Sequence, residues 1–173
     1  VMNFGSTVVS TVAGVTIGNA GTVDLDGDVT GATTVTISDV GTEIDLAAGV
    51  DITASGGNVD LNNTVAQIDL SGTTDTNTIS ASGSVELANV VDTGTTTATS
   101  PVELVVTAGT GVTLGTVTLS NTLDVDFDTA TGTSTLNAGS LSAGTIEVDG
   151  VGTNDVMNFG STVVSTVAGV TIG

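Results

Sequence analysis

The chain has 173 residues and a formal charge of −19, with nineteen Asp and Glu and no Lys, Arg or His; Cys, Trp and Tyr are also absent. Without imidazole, amine, thiol or guanidinium, most acid–base, nucleophilic and oxyanion chemistry has no side chain to run on, and no enzyme is expected. Zinc and iron sites lack their usual His and Cys ligands, and nucleic-acid binding lacks its Lys and Arg.

The first element is a repeat. Residues 1–18 read VMNFGSTVVSTVAGVTIG, and residues 156–173 read the same eighteen letters. The expected organisation is one 155-residue unit, 1–155, followed by the start of the next identical unit, 156–173, as in a window on a longer tandem array. Repetition on this scale points to length as the product, in a fibre, a stalk or an adhesin shaft.

Along the chain, helix formers are scarce and an alternation of period two recurs as an apolar–acid–apolar triplet. The triplets are Val23-Asp24-Leu25, Ile44-Asp45-Leu46, Val50-Asp51-Ile52, Val59-Asp60-Leu61, Ile68-Asp69-Leu70, Val85-Glu86-Leu87, Val102-Glu103-Leu104, Leu123-Asp124-Val125 and Ile146-Glu147-Val148. Successive side chains on a strand point to opposite faces, so each triplet is expected to bury two apolar residues and show one carboxylate to water. Short polar breaks rich in Gly, Asn and Ser separate them, such as Gly18–Gly21, Ser55–Asn58, Ser71–Thr73 and Ala108–Gly111. These predict tight turns between strands of roughly four to six residues. The Thr-rich run from Thr93 to Ser100, with Pro101 behind it, predicts a bulge in the regular pattern.

Many short strands fit either a string of β-sandwiches or a β-solenoid. A sandwich core usually holds a large aromatic ring, and this chain has only three Phe. The triplets recur at intervals of about 17–24 residues, which suits one circuit of a solenoid. The expected fold is therefore all-β, a parallel β-solenoid of about eight rungs per 155-residue repeat at about nineteen residues each. Stacking at ~4.8 Å then advances the repeat by roughly 38 Å.

The stretches 21–57 and 58–72 (GTVDLDGDVTGATTVTISDVGTEIDLAAGVDITASGG and NVDLNNTVAQIDLSG) resemble, in texture, bacterial β-strand-repeat surface proteins of the filamentous-haemagglutinin and autotransporter-passenger group. The resemblance covers the whole unit without a sharp motif. It implies a right-handed parallel β-helix, secretion and an extracellular or cell-surface role.

Two acidic runs are the candidate sites. Asp24, Asp26 and Asp28 lie in VDLDGDV, and Asp124, Asp126 and Asp128 in LDVDFDT. Neither fits a calcium-hand loop: Gly27 falls at position four instead of six, and Val35 stands where the closing Glu belongs. Alternation explains both as solvated carboxylates; the second reading is a bound cation, Ca2+ bridging stacked rungs, with no cofactor required. Thr34-Val35-Thr36, Thr97-Ala98-Thr99 and Thr116-Val117-Thr118 are too irregularly spaced for the unbroken Thr ranks of an ice-binding face. Asn62-Asn63-Thr64 is a glycosylation sequon in form.

The partners expected are further copies of the chain, end to end or side by side, and divalent cations. No apolar run approaches the ~20 residues of a spanning helix, and no aromatic girdle suits a barrel, so membrane insertion is not expected. The functional expectation is a structural protein, the unit of an extracellular filament or adhesin shaft. The alternative is a cation-dependent adhesive surface module.

Overall fold

The computed structural model describes residues 1–62, 66–71, 75–93, 104–127, 132–150 and 154–173. Among these there are strands and turns and no helix. Every strand pairing is parallel, and each joins residues about one coil apart. The fold is a β-solenoid with three strand-bearing faces.

Face one stacks Met2–Phe4, the second halves of Val15–Leu25 and Val35–Leu46, then Gln67–Leu70, Asn89–Val91, Val117–Thr118 and the starts of Leu141–Asp149 and Val163–Ile172. Face two stacks Val8–Ser10, Val29–Gly31, Asp51–Ala54, Asn77–Ala81, Leu104–Ala108, Thr122–Phe127 and the ends of Leu141–Asp149 and Val163–Ile172. Face three stacks the first halves of Val15–Leu25 and Val35–Leu46, then Val59–Leu61, Ser84–Leu87, Gly111–Leu114, Thr135–Ala138 and Val156–Phe159.

The core is a set of apolar columns. On face one Val23, Ile44, Ile68, Val90, Val117 and Leu141 lie one above another and are all buried. On face two Ile52, Ile79 and Val106 do the same. Branched aliphatic side chains suit this arrangement because each meets a like neighbour across a parallel ladder and none needs a polar partner. In all eight triplets within the described residues both apolar members are buried, as the alternation predicted. The ninth, Val102-Glu103-Leu104, lies outside them except for Leu104.

Two expectations are corrected. The coil is longer than nineteen residues: Val15, Val35, Val59, Val85, Val112, Leu136 and Met157 stack in turn, which takes twenty to twenty-seven residues per step. A 155-residue repeat, from Met2 on face one to Met157 on face three, therefore holds six full turns and two-thirds of a seventh, not eight. Its axial advance falls from roughly 38 Å to roughly 32 Å. The shorter estimate arose because the step from residue 68 to 85 passes from one face to another, so it is not a whole circuit.

The second correction concerns the breaks. Gly18–Gly21 is not a loop between strands; Val15–Leu25 runs through it as one eleven-residue strand with a register shift between Ala20 and Thr22. Asn19 bends the corner at φ 59, and Asp39 does the same one coil on at φ 55. Asn and Asp take this left-handed conformation more readily than other non-glycine residues. The bulge predicted between Thr93 and Pro101 lies outside the described residues from 94 on.

Candidate functional site

Most of the acidic residues take one of two roles that only stacking separates, and Asp69 takes both. The first group ties corners together. At a corner the backbone ladder breaks, and an N–H of the next coil loses its carbonyl partner. A side-chain oxygen from the neighbouring coil replaces it. Asp28 Oδ1 accepts from the Asp51 N–H at 3.0 Å, and Asp51 Oδ1 accepts from the Thr78 N–H at 3.2 Å. Asn58 accepts from the Ser84 N–H at 2.9 Å, and Asn89 from the Thr116 N–H at 3.0 Å. Asp69 accepts from both the N–H and the hydroxyl of Thr93, at 3.1 and 2.5 Å, which leaves it only 8 % exposed. Asp155 accepts from the Ser134 N–H at 2.6 Å. Hydrogen bonds to a charged acceptor are stronger than neutral ones, so these acids staple coils in a chain that has no basic residue to pair with them.

The second group forms ladders on the outer faces. On face one Asn3, Asp24, Asp45 and Asp69 stand in register on four successive coils. The Asn3 amide donates to Asp24 at 2.5 Å and to Asp26 at 3.5 Å. Asp45 Oδ1 is shielded from solvent and accepts no hydrogen bond. On face three Asp60 stacks with Glu86, between Thr36 and Thr113. On face two Asp124 stacks with Glu147, and Asp126 with Asp149.

This last array is the nearest approach to an ion site. Among the described residues Asp124, Glu147 and Asp149 are the group of carboxylates whose ligand oxygens all lie within 4.8 Å of one another. Oxygen ligands of this kind suit a hard cation such as calcium. Of the six positions expected from the sequence, Asp124 enters the group and Asp126 lies beside it. Asp24 and Asp26 instead converge on the Asn3 amide, and Asp28 is a corner staple. Asp128 lies outside the described residues. Glu147 and Asp149 were not anticipated, although the step from Leu123-Asp124-Val125 to Ile146-Glu147-Val148 does span one coil, and the spacing alone would have paired their acids.

Asn77 was missed altogether. It is fully buried at an inward position, where Leu104 stands one coil on. Its amide donates to the Ala47 and Val50 carbonyls at 2.8 and 3.2 Å, beside the Gly49 turn. The Thr-x-Thr triplets do not share a surface: Thr36 lies on face three and Thr118 on face one, while Thr97-Ala98-Thr99 lies outside the described residues. So does most of the Asn62-Asn63-Thr64 sequon. The described surface has no cavity or cleft.

No family model, curated protein or solved structure matches the chain. The functional reading therefore rests on the geometry and chemistry of the coil itself.

Proposed function

We propose that this chain is a structural element, part of a secreted tandem-repeat β-solenoid that builds an extracellular filament or adhesin shaft, in the manner of the surface proteins it resembles in texture. The observation that carries this reading is the stacking of the repeat within one coil. Parallel stacking joins the described residues from 2 to 172, and the same eighteen-residue sequence enters it twice, at 1–18 and 156–173. A coil that takes up its own repeat in this way lengthens without a new kind of contact. Side-chain chemistry agrees, because carboxylates, hydroxyls and amides on a stacked aliphatic core give rigidity and hydration and little else.

Electron images and diffraction of concentrated protein test this. Thin unbranched fibres with a ~4.8 Å axial reflection support it, and a covalent tandem array should add a repeat of roughly 32 Å. Beads spaced by 50 Å or more, with strands along the fibre, would refute it.

The second reading, a cation-dependent adhesive surface, draws on the cluster of Asp124, Glu147 and Asp149. Its test is the melting temperature with calcium and with chelator, in the native chain and in one carrying Asp124→Asn, Glu147→Gln and Asp149→Asn. A calcium-induced rise that disappears in the triple variant supports it. An equal response of both chains reduces calcium to general screening of the outer faces.

A further inference from the structure

The eighteen-residue sequence occupies two different places in the coil. In the first copy Met2–Phe4 lies on face one, Val8–Ser10 on face two and the start of Val15–Leu25 on face three. In the second copy Val156–Phe159 lies on face three, the start of Val163–Ile172 on face one and its end on face two. The copies are offset by a third of a turn.

The same side chains nonetheless point inward. Met2 and Phe4 stack on Val23 and Leu25, and Met157 and Phe159 on Leu136 and Ala138. Val8 and Ser10 stack on Val29 and Gly31, and Val163 and Ser165 on Leu141 and Ala143. Val15 and Ile17 stack on Val35 and Ile37, and Val170 and Ile172 on Ile146 and Val148. All these partners are buried. The segment is therefore not fitted to one face. Its alternation chooses the inward side chains, and the corners absorb the difference: Gly169 takes φ 134, a value its counterpart Gly14 does not adopt.

We propose that each repeat of the tandem array is turned by a third of a turn on the one before it, so that the shaft is a threefold screw with no unique side. The screw rests on the filament reading and gives that filament its symmetry. A repeat begun one face round follows the same path, because alternation within the strands and the lengths of the corners place its side chains on any of the three faces. Each repeat takes six turns and two-thirds of a seventh. Three repeats therefore complete about twenty turns and return to the starting face after roughly 96 Å. Whatever one repeat carries is shown on three sides in turn. The cluster of Asp124, Glu147 and Asp149 lies on face two of one repeat and moves one face round with each further repeat, at steps of roughly 32 Å along the axis.

The chemistry at the junction favours this offset. None of the nineteen acidic residues falls in residues 1–18 or in their second copy, so an acid-free coil crosses all three faces between one repeat and the next. On face two Thr171 stands over Glu147. Thr171 is the counterpart of Thr16, which is followed in its own column by Thr36 and then Asp60. The next carboxylate is thus three coils from Glu147, roughly 14 Å. Whole turns would instead put the counterpart of Val8–Ser10 there, and with it the counterpart of Asp28 only two coils away, roughly 10 Å. In a chain without positive charge the wider spacing lowers the repulsion. On face three the offset sets an amide between unlike neighbours. The Asn158 amide donates to Asn137 Oδ1 at 2.9 Å on the coil below, and its counterpart Asn3 donates to Asp24 on the coil above. An Asn amide has two N–H bonds, so each copy in the array can make both contacts at once.

Two measurements test the screw. The first uses the 173-residue chain, which has no cysteine of its own. Ser142 points outward on face one beneath Val164, while Asn158 lies on face three. Neighbouring strands hold their Cα atoms about 4.8 Å apart, within disulfide reach. Oxidation should therefore close an intramolecular disulfide in the chain carrying Ser142→Cys and Val164→Cys, and none in the chain carrying Ser142→Cys and Asn158→Cys. Whole turns would reverse the result, because they put Asn158 over Ser142 and move Val164 to face two. Closure of the second pair, or of neither, would overturn the offset.

The second measurement is the helical symmetry of fibres formed by the native protein. Averaged images should give a rise of roughly 32 Å per repeat with a third of a turn between repeats, and a full axial period of roughly 96 Å. Fibres that repeat fully at roughly 32 Å would overturn the screw and leave the filament reading standing. Absence of fibres would remove both.

Discussion

The Asp24–Asp45–Asp69 ladder tests whether stacked carboxylates strain this fold. Asp45 stands between two like charges one coil away on either side. At the ~4.8 Å spacing of neighbouring strands, each pair repels by about 0.9 kcal/mol even at the dielectric of bulk water. Removing the middle charge relieves both pairs. Asp45→Asn should therefore stabilise the fold by about 1.7 kcal/mol at low ionic strength, a rise of roughly 3–7 °C in melting temperature. The new amide can also donate to the carboxylates above and below, as Asn3 does to Asp24. Screening with a Debye length of ≈ 8 Å cuts the gain to about 1 kcal/mol at 0.15 M salt, and 1 M salt leaves less than about 0.5 kcal/mol. The measurement is thermal melting of both chains across sodium chloride. Taking the difference between them cancels the effect of salt on the shared core. A variant that is no more stable, or a gain that does not shrink with salt, would refute like-charge repulsion along this face.

Other expectations follow from the core, the corners and the composition. Ile79→Ala opens the buried column between Ile52 and Val106 and should cost about 2–5 kcal/mol in chemical denaturation. Asn77→Ala removes both bonds to the Ala47 and Val50 carbonyls and should cost about 1–3 kcal/mol; an unchanged midpoint would show that those carbonyls find other partners. At Gly109 an added methyl would overlap the Ser82 carbonyl oxygen of the coil below, so Gly109→Ala should cost about 1–3 kcal/mol although the substitution is usually favourable in a flexible turn. Trypsin should leave the chain intact even after denaturation, since it has no Lys or Arg; a protease of broad specificity should separate the folded coil, which resists, from the denatured chain, which does not.

The sequence by itself determined the class of fold and the facing of nearly every side chain within the strands. Val23-Asp24-Leu25 and Ile146-Glu147-Val148 bury their flanks because alternation is a local property, fixed by the geometry of one extended strand. The missing aromatics and the regular triplets pointed to a stacked coil for the same local reason. The tertiary structure decided what lies one coil away. That depends on corner lengths added up along the chain, which vary enough that a circuit takes anywhere from twenty to twenty-seven residues on face three. A single residue of difference at a corner changes which side chains meet, so the number of turns was not legible in advance. For the same reason Asp28 is a staple, Asp45 a member of a ladder and Asp124 part of a cluster, although all three read alike in the sequence. The two identical ends show the division most plainly. Their eighteen residues choose the same inward side chains in both places, and the accumulated corners between them set the offset of a third of a turn.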